Sequence, residues 1–504
     1  MESGGLAKIL EKAREAQAVW AELPYRQRAR KLKNAARQLG AQAREITETI
    51  HRESGKLRLD ALAAELIPAI IGIRYYIKKG RTFCASRRVR GGSLLMFNKQ
   101  SRYIFAPHGV VGIISPWNYP FSIPFAEVVM ALLAGNAVIL KVASLNPGVG
   151  RALAGLFEAA ELPAGLFSLL ELPGKEAGPA LIAGGVDKLF FTGSTTTGRE
   201  LMALAVPRLL PLVLELGGAD AAIICSGADL DRAAAGIVWA GFSNAGQSCG
   251  GVQRVLVYRD VYPAFLEKLK VLVSKLRSGD DEDADLGPLA TARQKATVEK
   301  QVAACLAAGA VISARSPVPA GEGADPDTAG SRHYYPATVL TNLDLSMPIM
   351  SEEIFGPVVG VYPVADDREA IRIANASPYG LTSSVWSRNR RLARRIAAGI
   401  NAGAVMINDH LMSHGLAETP WGGFGDSGLG RTHGELGFRE MLKVKVVVDD
   451  ILPGVKRDIW WQPYSAKVYR GLMAIVDLLG GSSLSRRLRA IPGVLKIFLR
   501  YWKK

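Results

Sequence analysis

Cysteine is scarce in this chain. The 504 residues hold four, Cys84, Cys225, Cys249 and Cys305. They are too few and too scattered for a disulfide framework, and none forms the Cys-x-x-Cys pair of a zinc site. No metal centre is expected, and a reducing, cytoplasmic compartment is. Histidine is nearly as rare. The six (His51, His108, His333, His410, His414 and His433) form no recognisable pattern with a cysteine, which speaks against a cysteine hydrolase. No apolar run reaches the roughly 18 residues that a membrane-spanning helix needs. Residues 1–10 lack the basic-then-apolar layout of a secretory signal. Internal repeats, low-complexity blocks and the Gly-x-Gly-x-x-Gly fingerprint are missing too.

What is present is apolar mass and glycine. Hydrophobic residues make up 49% of the chain and glycines number 53, enough for two or more packed domains and too apolar for a disordered chain. The formal charge is +16, but residues 456–504 carry 11 Lys or Arg against two Asp, a net of +9. A nucleic-acid binder would spread such charge over its folded body, so no nucleic-acid partner is expected. The basic character belongs to a tail.

Residues 6–50 read as helices interrupted at Pro24, and 60–80 continue helically. Short extended segments follow over 87–104. Then strands alternate with helices: strands at 110–114, 137–140, 166–170, 188–191, 211–215 and 221–225, with helices at 125–134, 148–160 and 175–183 among them. Such alternation predicts a parallel, doubly wound sheet. A second α/β series runs from Glu215 to about Asn408, with strands near 252–258, 358–361 and 403–407. Acidic or Gly/Pro-rich stretches at 279–288 and 317–330 read as surface loops.

Four places could carry chemistry. Cys249 lies in Ser243-Asn244-Ala245-Gly246-Gln247-Ser248-Cys249-Gly250-Gly251, where small neighbours leave a thiol approachable and let backbone N–H groups near a reacting carbonyl. An ordinary thiol is only a few per cent thiolate at neutral pH and needs a base. Glu215 ends an apolar strand, where ligands bind in open α/β sheets. Asn118, in Pro116-Trp117-Asn118-Tyr119-Pro120, could donate its amide to an oxyanion. Thr192-Gly193-Ser194 follows a strand and opens a helix, so its N–H groups could meet a phosphate. Each alone has a plainer reading: a buried small hydrophobe, a solvated turn carboxylate, a turn asparagine, a simple loop.

Their order and spacing decide. Pro116-Trp117-Asn118-Tyr119-Pro120, Lys141, Gly193-Ser194, Glu215-Leu216-Gly217-Gly218, Gly246-Gln247-Ser248-Cys249, Glu352-Glu353-Ile354-Phe355-Gly356-Pro357 and Pro420-Trp421-Gly422-Gly423-Phe424 together resemble the aldehyde dehydrogenase superfamily along residues 10–445. The resemblance implies that Cys249 attacks an aldehyde, that Asn118 and the Cys249 N–H hold the oxyanion, and that Glu215 activates water to release the acid. It implies NAD or NADP as cofactor, met by Lys141, Gly193, Ser194, Glu353 and Phe355, with Trp117 lining the site. Where NAD-preferring members often carry Glu three residues after the lysine, this chain has Ser144. A carboxylate there would repel a 2′-phosphate and a serine could accept one, so NADP is admitted.

The implied fold is α/β, with two doubly wound domains and a small β oligomerisation projection. A cofactor domain would span 1–214, with 85–104 in the projection, and a catalytic domain 215–407. Residues 408–450 would return to the cofactor domain and the projection, and a homodimer or tetramer is implied. Residues 451–504 form a basic helical tail. In it Leu484, Leu488, Ile491, Leu495, Phe498, Leu499 and Trp502 recur at spacings of three and four among Arg486, Arg487, Arg489, Lys496, Arg500 and Lys503. That is the pattern of an amphipathic helix lying on a membrane surface, with Tyr501 and Trp502 suited to the headgroup layer and Pro492 kinking it. The layout resembles that of membrane-attached fatty aldehyde dehydrogenases, which implies a long-chain or lipophilic substrate. The other reading packs the stripe on protein. A CoA-acylating enzyme and a non-enzymatic membrane scaffold are the functional alternatives; Glu215 speaks against the first and an intact Cys249, Glu215 and Asn118 against the second.

Overall fold

The computed structural model describes residues 3–319, 333–452 and 454–502. Part of the expected loop at 317–330, and Lys503 of the tail, lie outside them. Residues 3–85 with 105–443, and residues 86–104 with 444–502, form two compact units.

In the first unit, helices Ser3–Glu22 and Tyr25–Ala41 meet at Pro24, whose fixed φ precedes the second helix. A six-stranded sheet follows in the spatial order Gly428–Leu429, Leu212–Glu215, Lys188–Thr192, Val110–Ile114, Ala137–Lys141, Phe167–Leu169. All neighbours are parallel except Gly428–Leu429. The central strands are near-continuous Val, Ile, Leu and Phe because both of their faces are buried. Ile114 pairs with Lys141 and with Phe191, and Thr192 pairs with Glu215, so four strands finish almost level. That shared carboxyl edge gathers the polar residues.

A second sheet has seven strands in the order Val311–Arg315, Thr338–Thr341, Val358–Val364, Val252–Tyr258, Asp220–Ile224, Thr382–Trp386, Ala404–Ile407. Sequence patterning foresees neither the antiparallel pair Val311–Arg315 and Thr338–Thr341 nor Thr382–Trp386. The last reads Thr-Ser-Ser-Val-Trp yet is wholly buried. Its hydroxyls are satisfied internally: Thr382 donates to Asp220 Oδ2 at 2.7 Å and Ser383 to the Ala221 carbonyl at 2.6 Å.

The second unit joins Arg87–Val89, Lys99–Pro107 and Leu442–Asp450 as a three-stranded sheet, and its chain continues into helices Ala466–Gly480 and Leu484–Phe498. Ser465 and Ser483 cap the two helices through the N–H groups of Val468 and Arg486. Gly471 and Gly493 let the helices approach: a Cβ on either would lie 2.7 Å from Ile497 or 2.6 Å from Ala474. The second helix runs through Pro492. Between the helices lies a core of Ile459, Val468, Ile475, Val494, Ile497 and Tyr501, with Leu95 and Phe498 against it. Two outward expectations are thereby corrected. Tyr501 is fully buried against Phe97 and Phe498, and Phe498 leans inward, because the tail buries one face on itself. The remaining stripe is bare, with Leu484 74% and Leu495 64% exposed. Among the described residues no helix is long and apolar enough to cross a membrane.

Candidate active site

Glu215 ends its strand at the level carboxyl edge, and its backbone is pinned: the Gly193 N–H donates to the Glu215 carbonyl at 3.0 Å. The next two glycines admit close neighbours. A Cβ on Gly217 would stand 2.5 Å from Glu353 Oε2, and one on Gly218 would stand 2.3 Å from the Cys249 carbonyl. The Gly218 N–H donates to Glu353 Oε1 at 3.0 Å. Glu215 itself is buried, and neither carboxyl oxygen has a hydrogen-bond partner. Burial, with the nearby Glu127 carboxylate adding to it and Arg431 opposing, holds its pKa well above the usual range.

Cys249 sits on the turn between helix Leu230–Phe242 and strand Val252–Tyr258. Asn244 and Ala245 there have φ of 52° and 53°, a left-handed backbone costing about 1–2 kcal/mol per residue. A dense hydrogen-bond net holds it. The Asn244 N–H donates to Asp60 Oδ2 at 3.1 Å, its amide to the carbonyls of Asn118 and Gln247 at 3.1 Å, and the Gln247 amide back to Asn244 at 2.9 Å. Asn118 closes the net by donating Nδ2 to the Gln247 carbonyl at 3.1 Å. Beyond the cysteine, His410 Nε2 lies 3.0 Å from the Gly250 carbonyl. Cys249 is half-buried as a residue, and burial of its sulfur plus the carboxyls of Glu353, Glu215 and Asp220 push its pKa up. At rest it is a thiol, and it needs a base.

The Asn118 loop is braced from below. Glu65 Oε2 accepts the N–H groups of Phe121 and Ser122 at 2.8 and 3.2 Å, and its Oε1 meets Lys56 Nζ at 2.5 Å in a fully buried ion pair. The same Nζ stands 4.1 Å above the Tyr119 ring. Trp117 meets Phe355 edge-on at 5.5 Å. Six of the foreseen residues, Asn118, Trp117, Glu215, Cys249, Glu353 and Phe355, thus gather about one locus.

Lys141, Ser144, Gly193 and Ser194 lie along the same sheet edge. Lys141 is buried, which lowers its pKa, and has no ion pair among the described residues; a Cβ on Gly174 would be 3.5 Å from its Nζ. Ser144 is exposed three residues on. Ser194 caps helix Thr195–Ala205, accepting the Thr197 N–H at 3.3 Å. The Thr192 hydroxyl is buried without a partner. An unpaired buried cation, a helix N-terminus and an unspent hydroxyl on one edge suit a dinucleotide's ribose and phosphates. Glu353, its pKa raised by burial to about 7, stands where these meet the thiol's side.

A cavity of about 230 Å³ reaches Cys249 and Glu215. Its wall is mostly apolar, from Ala63, Ala64, Ile67, Pro68, Ile71, Trp239 and Met412, and Ile67, Ile71, Trp239 and Met412 are also exposed at the surface. Sequence reading missed these, along with Lys56, Glu65, Asp60 and His410. It also missed Glu127, which announces itself as the one charge in the apolar helix Ser122–Ala134.

Residues 4–447 match the family model described as the aldehyde dehydrogenase family. A 4,4'-diapolycopene aldehyde oxidase from Methylomonas sp is 35% identical over 495 residues, 98% of this chain and 90% of that one. An NAD-dependent aldehyde dehydrogenase from Sinorhizobium meliloti superposes with a TM-score of 0.83 at 30% identity, covering 92% of this chain and 89% of that one. An E. coli NADP dependent enzyme superposes at 0.82 and 29% identity, covering 89% and 90%. With thiol, buried carboxyl and amide gathered beside two mainly parallel sheets, and with likenesses spanning nearly the whole chain, the protein belongs to the aldehyde dehydrogenase family, oxidoreductases of aldehydes that use NAD or NADP.

Proposed function

We propose that this enzyme oxidises a lipophilic, long-chain aldehyde to its carboxylic acid. The observation that carries the reading is the cavity: its wall is mostly apolar, with Ile67, Ile71, Trp239 and Met412 at an exposed rim and Ala63, Ala64 and Pro68 beside them, and it offers an alkyl chain a dry surface. The Methylomonas relative, a 4,4'-diapolycopene aldehyde oxidase by name, lends weight to a hydrocarbon-rich aldehyde.

Cys249 attacks the carbonyl carbon after yielding its proton to Glu215, forming a thiohemiacetal. The free N–H of the Asn118 amide and the Cys249 N–H take the oxyanion. A bound nicotinamide supplies the hydride acceptor. Lys141, Ser144, Gly193 and Ser194 would hold its adenosine ribose and phosphates, Glu353 the nicotinamide ribose, and Phe355 and Trp117 would pack near the nicotinamide. Hydride loss leaves a thioester; Glu215 gives up the thiol's proton to solvent and then takes one from the water that cleaves the thioester. A base so placed favours hydrolysis over transfer to CoA. The three-stranded sheet serves a homodimer or larger assembly, and the helical pair after residue 465 rests on the cytoplasmic face of a membrane, where such aldehydes dissolve.

Turnover of a short aldehyde and of one about ten carbons long, each with NAD and with NADP, tests the reading. A higher kcat/KM for the long chain is expected. Equal or better turnover of the short one overturns the lipophilic assignment and leaves the chemistry standing.

A further inference from the structure

The cavity that reaches Cys249 opens beside a helix whose outer face changes character along its length. On helix Ile67–Cys84, Ile67, Ile71, Arg74, Lys78 and Arg81 recur at intervals of four, three, four and three, and all are exposed. That spacing sets them on one side of the helix, over about 20 Å of its axis. Ile67 and Ile71 stand at the cavity's rim with Trp239 and Met412. Leu59 and Leu62, in the helical turns just before, are 69% and 39% exposed. Large apolar side chains thus face water at or beside one opening.

Farther along, the same face turns basic. Lys78 and Arg81 line a groove of about 1070 Å³ together with Arg26, Arg30, Lys33 and Arg37 of helix Tyr25–Ala41. Neither helix contains an aspartate or glutamate. The groove's one acid, Glu161, is met by Lys31 at 3.8 Å. Among the described residues no acid pairs with any of the six cations, so their mutual repulsion is not offset by an ion pair.

We propose that this face seats the cavity mouth on an anionic lipid surface, so that aldehyde passes from bilayer to Cys249 without crossing water. This rests on the reading of the substrate as lipophilic. Charge and polarity together choose the partner. A nucleic acid would meet the cations and leave the isoleucines in water, and an apolar protein surface would leave the cations unpaired. An anionic bilayer offers acyl chains to the rim and phosphates to the groove. The route matters because each methylene drawn into water lowers an aldehyde's free concentration about fourfold. A long chain is therefore scarce in solution and plentiful at such a mouth. With a few half-exposed side chains to insert, the contact is reversible: it collects substrate and does not anchor the protein.

A long-chain aldehyde tests this on the full chain with cofactor, supplied free in solution, in phosphatidylcholine vesicles, or in vesicles with phosphatidylserine added. Native kcat/KM should be higher on the anionic vesicles than on the neutral ones. In Lys78→Glu with Arg81→Glu, kcat/KM on anionic vesicles should fall about tenfold, because each cation near such a surface is worth about fivefold. Turnover in free solution should stay native. Equal native rates on the two vesicles, or equal rates of native and variant on the anionic ones, overturn the proposal. Should the variant fold poorly, a photoactivatable phospholipid in the anionic vesicles decides on the native enzyme. Residues 59–81 should carry label, and its absence there overturns the seating. The two readings fail apart. If a short aldehyde outpaces the long one in free solution, the lipophilic assignment has failed; if the long one wins there and the variant keeps its rate on anionic vesicles, the docking face alone has failed.

Discussion

At the scale of single residues, the cofactor edge turns on charge. Lys141 is buried and unpaired among the described residues, and Ser144 is open to solvent three positions later. A 2′-phosphate would find a cation and a hydroxyl there. Ser144→Glu should therefore raise the NAD-to-NADP ratio of kcat/KM at least tenfold, the worth of about 1–2 kcal/mol of repulsion between charges a few ångströms apart near a surface. Unchanged ratios would show that the phosphate lies elsewhere. The motif residues were legible because each is fixed by chain-local demands, a strand end for Glu215 or a tight turn for Cys249. Glu127 was not, since nothing adjacent in the chain says that Glu215, 88 positions on, shares its cavity.

Among elements, the loop that carries Asn118 depends on a buried ion pair. Lys56 and Glu65 are shielded from water, and Glu65 also takes two backbone N–H groups at the start of helix Ser122–Ala134. Removing only the cation strands a buried carboxylate, which costs about 3–5 kcal/mol. Lys56→Met should lower the denaturation midpoint accordingly and reduce activity, and Lys56→Met with Glu65→Gln should recover much of the stability. Equal midpoints for the single variant and the native protein would exclude the brace. Patterning foresaw the parallel strands whose faces are Val, Ile and Leu, and overlooked Thr382–Trp386, whose polarity is cancelled by Asp220 and backbone carbonyls. It read the last helix as one amphipathic piece with Tyr501 outward. The ring is inside because a second helix covers it.

For the molecule as a whole, the helical pair presents Tyr469, Met473, Val476 and Leu479 from one helix and Leu484, Leu488, Leu495 and Leu499 from the other, all exposed. Arg486, Arg487, Arg489 and Lys496 stand among them. On an anionic bilayer such side chains would bury their apolar ends at the headgroup boundary while the cations meet phosphates. Leu488→Glu with Leu495→Glu should abolish sedimentation with anionic liposomes and leave the melting temperature within a few degrees, since neither side chain belongs to the pair's core. Retained binding would assign these faces to a protein partner.

Ile459, Val468 and Tyr501 close over Leu95, and Asp450 and Asp458 both grip Lys99 at 2.7 Å. Genetically, the codons for residues 451–504 are therefore not a dispensable appendix. A nonsense mutation just past Asp450 would bare Leu95 and Phe97 and leave Lys99 with one acid of its two, so selection would see misfolding and loss of abundance before any change of address.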